Sequence, residues 1–242
     1  QMIQFIVSST PSPAYVQRVA SAFSSGRYSA GSVDFGSGQK GDLAATVAAV
    51  LLDAEARSEA PASADAGRLR EPVMVMTGAL RAFNGRTDGD ALGWWWGDVL
   101  RQHVFRPPSV FNFYPPDYPV AGTSLVGPAF GIHNANGALG RLNYLIYLMD
   151  WGGSPPEPKV PNAIGTRVDL SAFAADAGDA AKLVDRLSAL AIGGALPAAA
   201  RSEVIKAVEW WTASTDANNW QSQRVKVAAY LVFGSPNYQI QR

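Results

Sequence analysis

The chain has 242 residues, 20 basic against 20 acidic, 48% hydrophobic and 17% charged, and no cysteine. This is the composition of a globular protein, without the cationic excess that would neutralise phosphates, which argues against a nucleic-acid partner. The missing cysteine excludes disulfides, thiolate metal sites and cysteine nucleophiles but leaves the compartment open, and no apolar run approaches the roughly 18 residues of a membrane span.

The chain starts at Gln1 with no initiator Met, and the apolar stretch Met2-Ile3-Gln4-Phe5-Ile6-Val7 has no cap before it. It resembles the tail of a helix whose beginning was cut away, so the chain reads as a fragment or processed product. Thr10-Pro11-Ser12-Pro13 breaks this helix. Ser12 then caps a second one with Pro13 at its first position, and Tyr15, Val16, Val19 and Phe23 follow at helical spacing. Ser24 to Lys40 is a loop rich in Gly and Ser. Asp42 caps the next helix, whose expected apolar stripe is Leu43, Val47, Val50, Leu51 and Ala54.

Pro61 to Gly67 reads as another loop. Pro72 opens a helix reaching about Phe83, apolar nearly all round through Val73, Met74, Val75, Met76 and Leu80, and therefore central. A short helix over Ala91 to His103 would hold Trp94, Trp95 and Trp96. Phe105 to Pro119 packs five prolines and five aromatics into fifteen residues. Its prolines fix φ and lack amide donors, so a rigid, extended segment pressed against a helical body is expected.

Leu139, Leu142, Ile146 and Met149 mark a helix ending near Trp151. Gly153 to Thr166, with four prolines, is a surface connection and the best boundary between two lobes. Three more helices fit the remainder: Asp179 to Ile192, Pro197 to Thr212 and Asn218 to Phe233. No β-hairpin signal and no repeat is read. The expected fold is mainly α, an irregular helical bundle with long ordered loops rich in proline and aromatics. Its expected organisation is a helical lobe over 1–152, a connection over 153–167 and a three-helix lobe over 168–242.

Six segments in order resemble a large bacterial family catalogued as a domain of unknown function, number eighteen hundred in its series. They are Pro11-Ser12-Pro13-Ala14-Tyr15-Val16, Gly41-Asp42-Leu43-Ala44-Ala45, Leu51-Leu52-Asp53-Ala54-Glu55-Ala56-Arg57, Leu69-Arg70-Glu71-Pro72-Val73, Pro108-Ser109-Val110-Phe111-Asn112-Phe113-Tyr114 and Ser235-Pro236-Asn237-Tyr238-Gln239-Ile240-Gln241. The resemblance is to the C-terminal half of such proteins. It implies an exported protein with an extracytoplasmic home, often encoded beside a sulfatase-like family. One departure stands out. After Pro128 the family usually has Glu, and this chain has Ala129.

Candidate chemistry is sparse. Gly36-Ser37-Gly38-Gln39-Lys40-Gly41 matches the glycine pattern of dinucleotide loops, but Val33 to Phe35 reads as too short for the required strand. Asp42 also places a carboxylate where a phosphate would sit. His103 and His133, with Asp98 or Asp117, could ligate a metal, but no short histidine spacing supports it, so neither metal nor cofactor is expected. Arg70, Glu71 and Arg81 around the central helix suggest a structural ion network, with Asp42 and Pro72 as structural helix-start residues. Trp94, Trp95, Trp96, Phe111, Phe113, Tyr114 and Tyr118 divide between core packing, a protein interface and a sugar-stacking platform. Three consecutive tryptophans cannot all face one side of a helix.

The sequence thus points to an extracytoplasmic structural or interaction module. It would pack through its aromatic loops on its own N-terminal half or on other chains of an assembly. The competing reading is an extracellular hydrolase of a polysaccharide or of a sulfated or esterified polymer, with Glu71, His103, Asp117 and His133 as candidates.

Overall fold

The computed structural model describes residues 1–58 and 66–241, so the expected loop at Pro61 to Gly67 lies largely outside the described residues. The protein is mainly α-helical, with only short strand pairs. Its contacts define two compact units. One comprises Gln1–Leu69 and Tyr114–Gly131, and the other comprises Arg70–Phe113 and Ile132–Gln241. The proline-rich stretch 153–167 falls inside the second. Among the described residues no helix is long and apolar enough to cross a membrane.

The first unit contains α1 (Met2–Ile6), α2 (Pro13–Ser25), β1 (Tyr28–Ala30), β2 (Val33–Phe35), α3 (Leu43–Leu52) and β3 (Arg68–Leu69). Ser12 caps α2 through the Tyr15 amide at 3.1 Å, and Gly26 ends it at φ +67°. The stretch from Ser24 to Lys40 is not all loop. β1 and β2 form an antiparallel hairpin with Tyr28 opposite Phe35 and Ala30 opposite Val33. Gly31-Ser32 makes the two-residue turn, with Gly31 at φ +60°, the left-handed geometry such turns demand.

The expected stripe of α3 is also corrected. Leu43, Val47 and Leu51 are exposed, and the buried face is Ala45, Thr46, Ala48, Ala49 and Val50. Small side chains let α2 and the hairpin come close, and a larger stripe would hold them off. Tyr15 fills the space, fully buried, with its hydroxyl bonded to the Val50 carbonyl. Arg18 grips the buried Asp53 carboxylate with two bonds at 2.6 and 2.7 Å. That pairing holds Asp53 below the usual carboxylate range.

The second unit runs through α4 (Pro72–Ala82), β4 (Arg86–Thr87), α5 (Trp94–Leu100), α6 (Ala135–Met149), β5 (Thr166–Arg167), α7 (Ala180–Ile192), α8 (Ala198–Glu209), α9 (Trp220–Gly234), α10 (Pro236–Gln239) and β6 (Ile240–Gln241). Its core joins α4, α5, α6, α7 and α9 through Val75, Met76, Phe83, Leu100, Leu145, Leu183, Leu187 and Phe233. α6 buries only part of the face expected of it. Met149 is buried, Leu142 and Ile146 are half-buried and Leu139 is exposed, while Gly137, Gly140, Arg141, Tyr144, Leu145 and Leu148 face inward. A Cβ at Gly140 would meet Val99 Cγ1 at 2.6 Å, so α5 and α6 approach closely because that residue has none.

Candidate functional site

The most distinctive surface of the second unit begins at Gly93, which precedes α5. Of the three tryptophans that follow, Trp96 is buried at 4% exposure, while Trp94 and Trp95 stand 66% and 73% exposed. Trp96 packs edge-on against Tyr144 at 5.0 Å and tilted against Tyr147 at 5.2 Å. Successive helix positions are about 100° apart, so burying Trp96 turns its two predecessors outward.

Arg101 ends α5 in the left-handed conformation, and a loop carries the chain to Phe113. Phe105 and Val110 are 97% and 95% exposed, and Phe111 is 73% exposed. The expectation that these aromatics press against a helical body fails here. The loop satisfies its backbone locally, with Arg106 N bonding His103 O at 3.0 Å and Asn112 N bonding Ser109 O at 3.1 Å. Pro107 and Pro108 have no amide to offer. Phe113 is half-buried. Tyr114 and Tyr118 belong to the first unit, where Tyr114 is buried on Phe5 at 5.8 Å and Tyr118 stays partly exposed.

Two of the candidate titratable residues, His103 and Glu71, have structural partners. His103 Nε2 bonds Asp98 Oδ1 at 2.8 Å, and its ring packs edge-on to Trp94 at 4.8 Å. Arg106 stacks on the same indole at 4.5 Å. A methyl at Gly97 would land on His103 Nδ1, so that nitrogen is turned onto backbone and not toward a cavity. Glu71 Oε2 accepts from Gln102 Nε2 at 2.5 Å, while Gln102 Oε1 accepts from the Val73 amide at 2.9 Å. Gln102, buried and absent from the sequence candidates, thereby caps α4 from a distant segment. No local signal marks such a cap.

Arg70, Glu71 and Arg81 form no ion pair with one another. Arg70 lies 4.4 Å over the Tyr238 ring and bonds the Ala191 carbonyl at 3.1 Å, and Arg81 is exposed in the last turn of α4. Pro72 opens that helix. Asp42 caps α3 and also accepts from Ser37, which pulls its carboxyl down to about 2. Val33–Phe35, expected to be too short for a strand, is one, and the Asp42 carboxylate occupies the N-terminus of α3 that follows the Gly36–Gly41 loop. Asp117 is exposed in the first unit, whereas Glu71, His103 and His133 lie in the second. Ala129 is buried. Among the described residues no group of three or more histidines, aspartates and glutamates is placed to hold a metal.

A buried cation escaped the sequence reading. Arg141 is 2% exposed, and its Nη1 donates to Gln239 Oε1 at 2.6 Å. Among the described residues its Nη2 and the Tyr144 hydroxyl have no hydrogen-bond partner. Burial lowers the Arg141 pKa to about 10, so it stays charged at neutral pH. The signal was available: Arg141 sits at helical spacing on the stripe of Gly137, Tyr144, Leu145 and Leu148.

Two motifs from opposite ends of the second unit meet at this cluster, Arg70-Glu71-Pro72-Val73 and Ser235-Pro236-Asn237-Tyr238-Gln239. Both are among the segments on which the family resemblance rests. The family model described as "Protein of unknown function (DUF1800)" matches residues 1–240. The chain belongs to the DUF1800 family. No curated protein and no solved structure matches it.

One titration of the DUF1800 chain has a readable sign. Burial, then the Arg141 charge, lowers the His133 pKa from its ordinary 6.5. The unfolded state therefore takes up the proton first. The stability this group contributes is full above its unfolded pKa and is lost as pH falls through the folded value. Melting temperature should fall between pH 7.5 and 5, and His133→Gln should flatten that slope. An unchanged slope in the variant would remove His133 as the cause.

Proposed function

We propose that this DUF1800 chain is an extracytoplasmic bacterial interaction module. It takes a protein surface onto the aromatic face formed by Trp94, Trp95, Phe105, Val110 and Phe111. One observation carries the reading: five large apolar side chains within eighteen residues stand mostly in water. Burying each such side chain is worth roughly 1.5–3 kcal/mol, which a partner can recover. Tryptophan is also the residue most enriched among interface hot spots. The extracytoplasmic placement rests on the family resemblance. The hydrolase reading draws less support, since Glu71 is tied to Gln102 and His103 to Asp98 and Gly97.

A photo-crosslinking amino acid at Phe105, in cells fractionated before analysis, tests both parts. The expected result is a discrete protein adduct in the extracytoplasmic fraction. Trp95→Ala should weaken that complex by about 2 kcal/mol, roughly thirtyfold. An adduct pattern no richer than that from a probe at exposed Leu43 would overturn the interface. A cytoplasmic location would overturn the compartment.

A further inference from the structure

The two-residue ladder of β4 and β5 sets Arg86 directly opposite Arg167, and Thr87 opposite Thr166. Opposed residues share a face of an antiparallel pair, and successive pairs alternate faces. Thr166 is fully buried and its Oγ1 lies 2.8 Å from Thr87 Oγ1, so the threonine face is the inner one. This register forces both arginines onto the outer face. There they line a pocket of about 670 Å³ together with Asn84, Pro156, Ile164, Val168 and Asp169.

Like charges directly opposite destabilise a strand pair. Other groups hold this one together. Asp88 Oδ2 accepts from the Ile164 and Gly165 amides at 2.9 and 2.8 Å. Ser154 and Thr166 exchange two backbone bonds at 3.0 Å. Among the described residues neither arginine has an ion-pair partner. The pocket's own carboxylate, Asp169, instead accepts from the Ser171 amide at 2.9 Å and from the Asn84 side chain. The adjoining cavity carries Asp88, Asp90 and Glu157, which confines the pull on an anion to the arginine side.

We propose that Arg86 and Arg167 form a binding site for an oxyanion group, carboxylate, phosphate or sulfate. The ligand's small apolar body would rest on Pro156, Ile164 and Val168. Two arginines paired in register and lining one pocket can each offer two parallel N–H donors to a pair of oxygens of such a group, and the bound anion relieves their mutual repulsion. The site does not depend on the aromatic face.

Titration calorimetry of the whole chain at low ionic strength, with inorganic phosphate and with phenylphosphate, tests it. Saturable one-to-one binding is expected, tighter for phenylphosphate. Arg86→Gln and Arg167→Gln should each weaken it about tenfold, whereas exposed Arg27→Gln leaves it unchanged. Without ligand, at low salt, each pocket variant should melt no lower than the parent, which checks that it folds and that the repulsion has gone. Three results would overturn the site: no binding at millimolar ligand, binding that survives both pocket substitutions, or an equal loss in Arg27→Gln.

Discussion

Phe233→Ala is expected to destabilise the second unit by about 3–5 kcal/mol. Phe233 is fully buried near the end of α9, and its ring lies 4.7 Å from both Phe83 and Tyr238. Phe83 ends α4 and Tyr238 lies on α10, so this one ring ties three helices together. The neighbours are rigid rings, which cannot collapse into the void, and the cost should fall at the upper end of that range. The measurement is convenient because all seven tryptophans lie in the second unit, so urea unfolding followed by tryptophan fluorescence reports on it alone. A loss below about 1 kcal/mol would mean that this ring cluster is not its core.

Gly78→Ala should destabilise as well, although propensity alone argues the opposite. Alanine in a helix interior is favoured over glycine by about 1 kcal/mol. At Gly78, in the middle of α4, a methyl would land on the Tyr238 hydroxyl, while the next ring atom lies an ordinary 3.5 Å away. Tyr238 is buried, its hydroxyl donates to the Val75 carbonyl at 3.1 Å, and Arg70 covers its ring. The ring has nowhere to move, so overpacking should cost about 1–3 kcal/mol. Removing the hydroxyl removes the clash. Gly78→Ala with Tyr238→Phe should therefore be more stable than Gly78→Ala alone, a non-additivity only residues in contact can produce. Two losses that simply add would show that Gly78 and Tyr238 do not touch.

The pair also brings together two of the segments on which the family resemblance rests. Ser235 caps α10, with its hydroxyl accepting from the Tyr238 amide at 3.3 Å. That short helix delivers Tyr238 against Gly78 and Gln239 to Arg141. Arg70 then closes over Tyr238 from the start of α4. The two motifs are some 165 residues apart, and each completes the surroundings of the other.

Sequence by itself determined the mainly helical class, the family and most helix starts. Ser12, Asp42, Pro72 and Asp179 act within a turn of their own position, and so are legible locally. The hairpin was not read from the sequence, because three-residue strands carry too little alternation to show. Tertiary structure alone decided which face of each helix is buried. α3 turns small residues inward and leaves Leu43 and Leu51 outside, and α6 sets Gly137, Gly140 and Arg141 among its buried large side chains while Leu139 stays out, because close helix approach rewards small side chains at the contact. It also decided that Trp96 goes in while Trp94 and Trp95 stay out, that Gln102 caps a helix thirty residues upstream, and that two arginines face each other over one pocket. Each of these depends on what lies opposite in space, and a periodic pattern specifies a face without naming its partner.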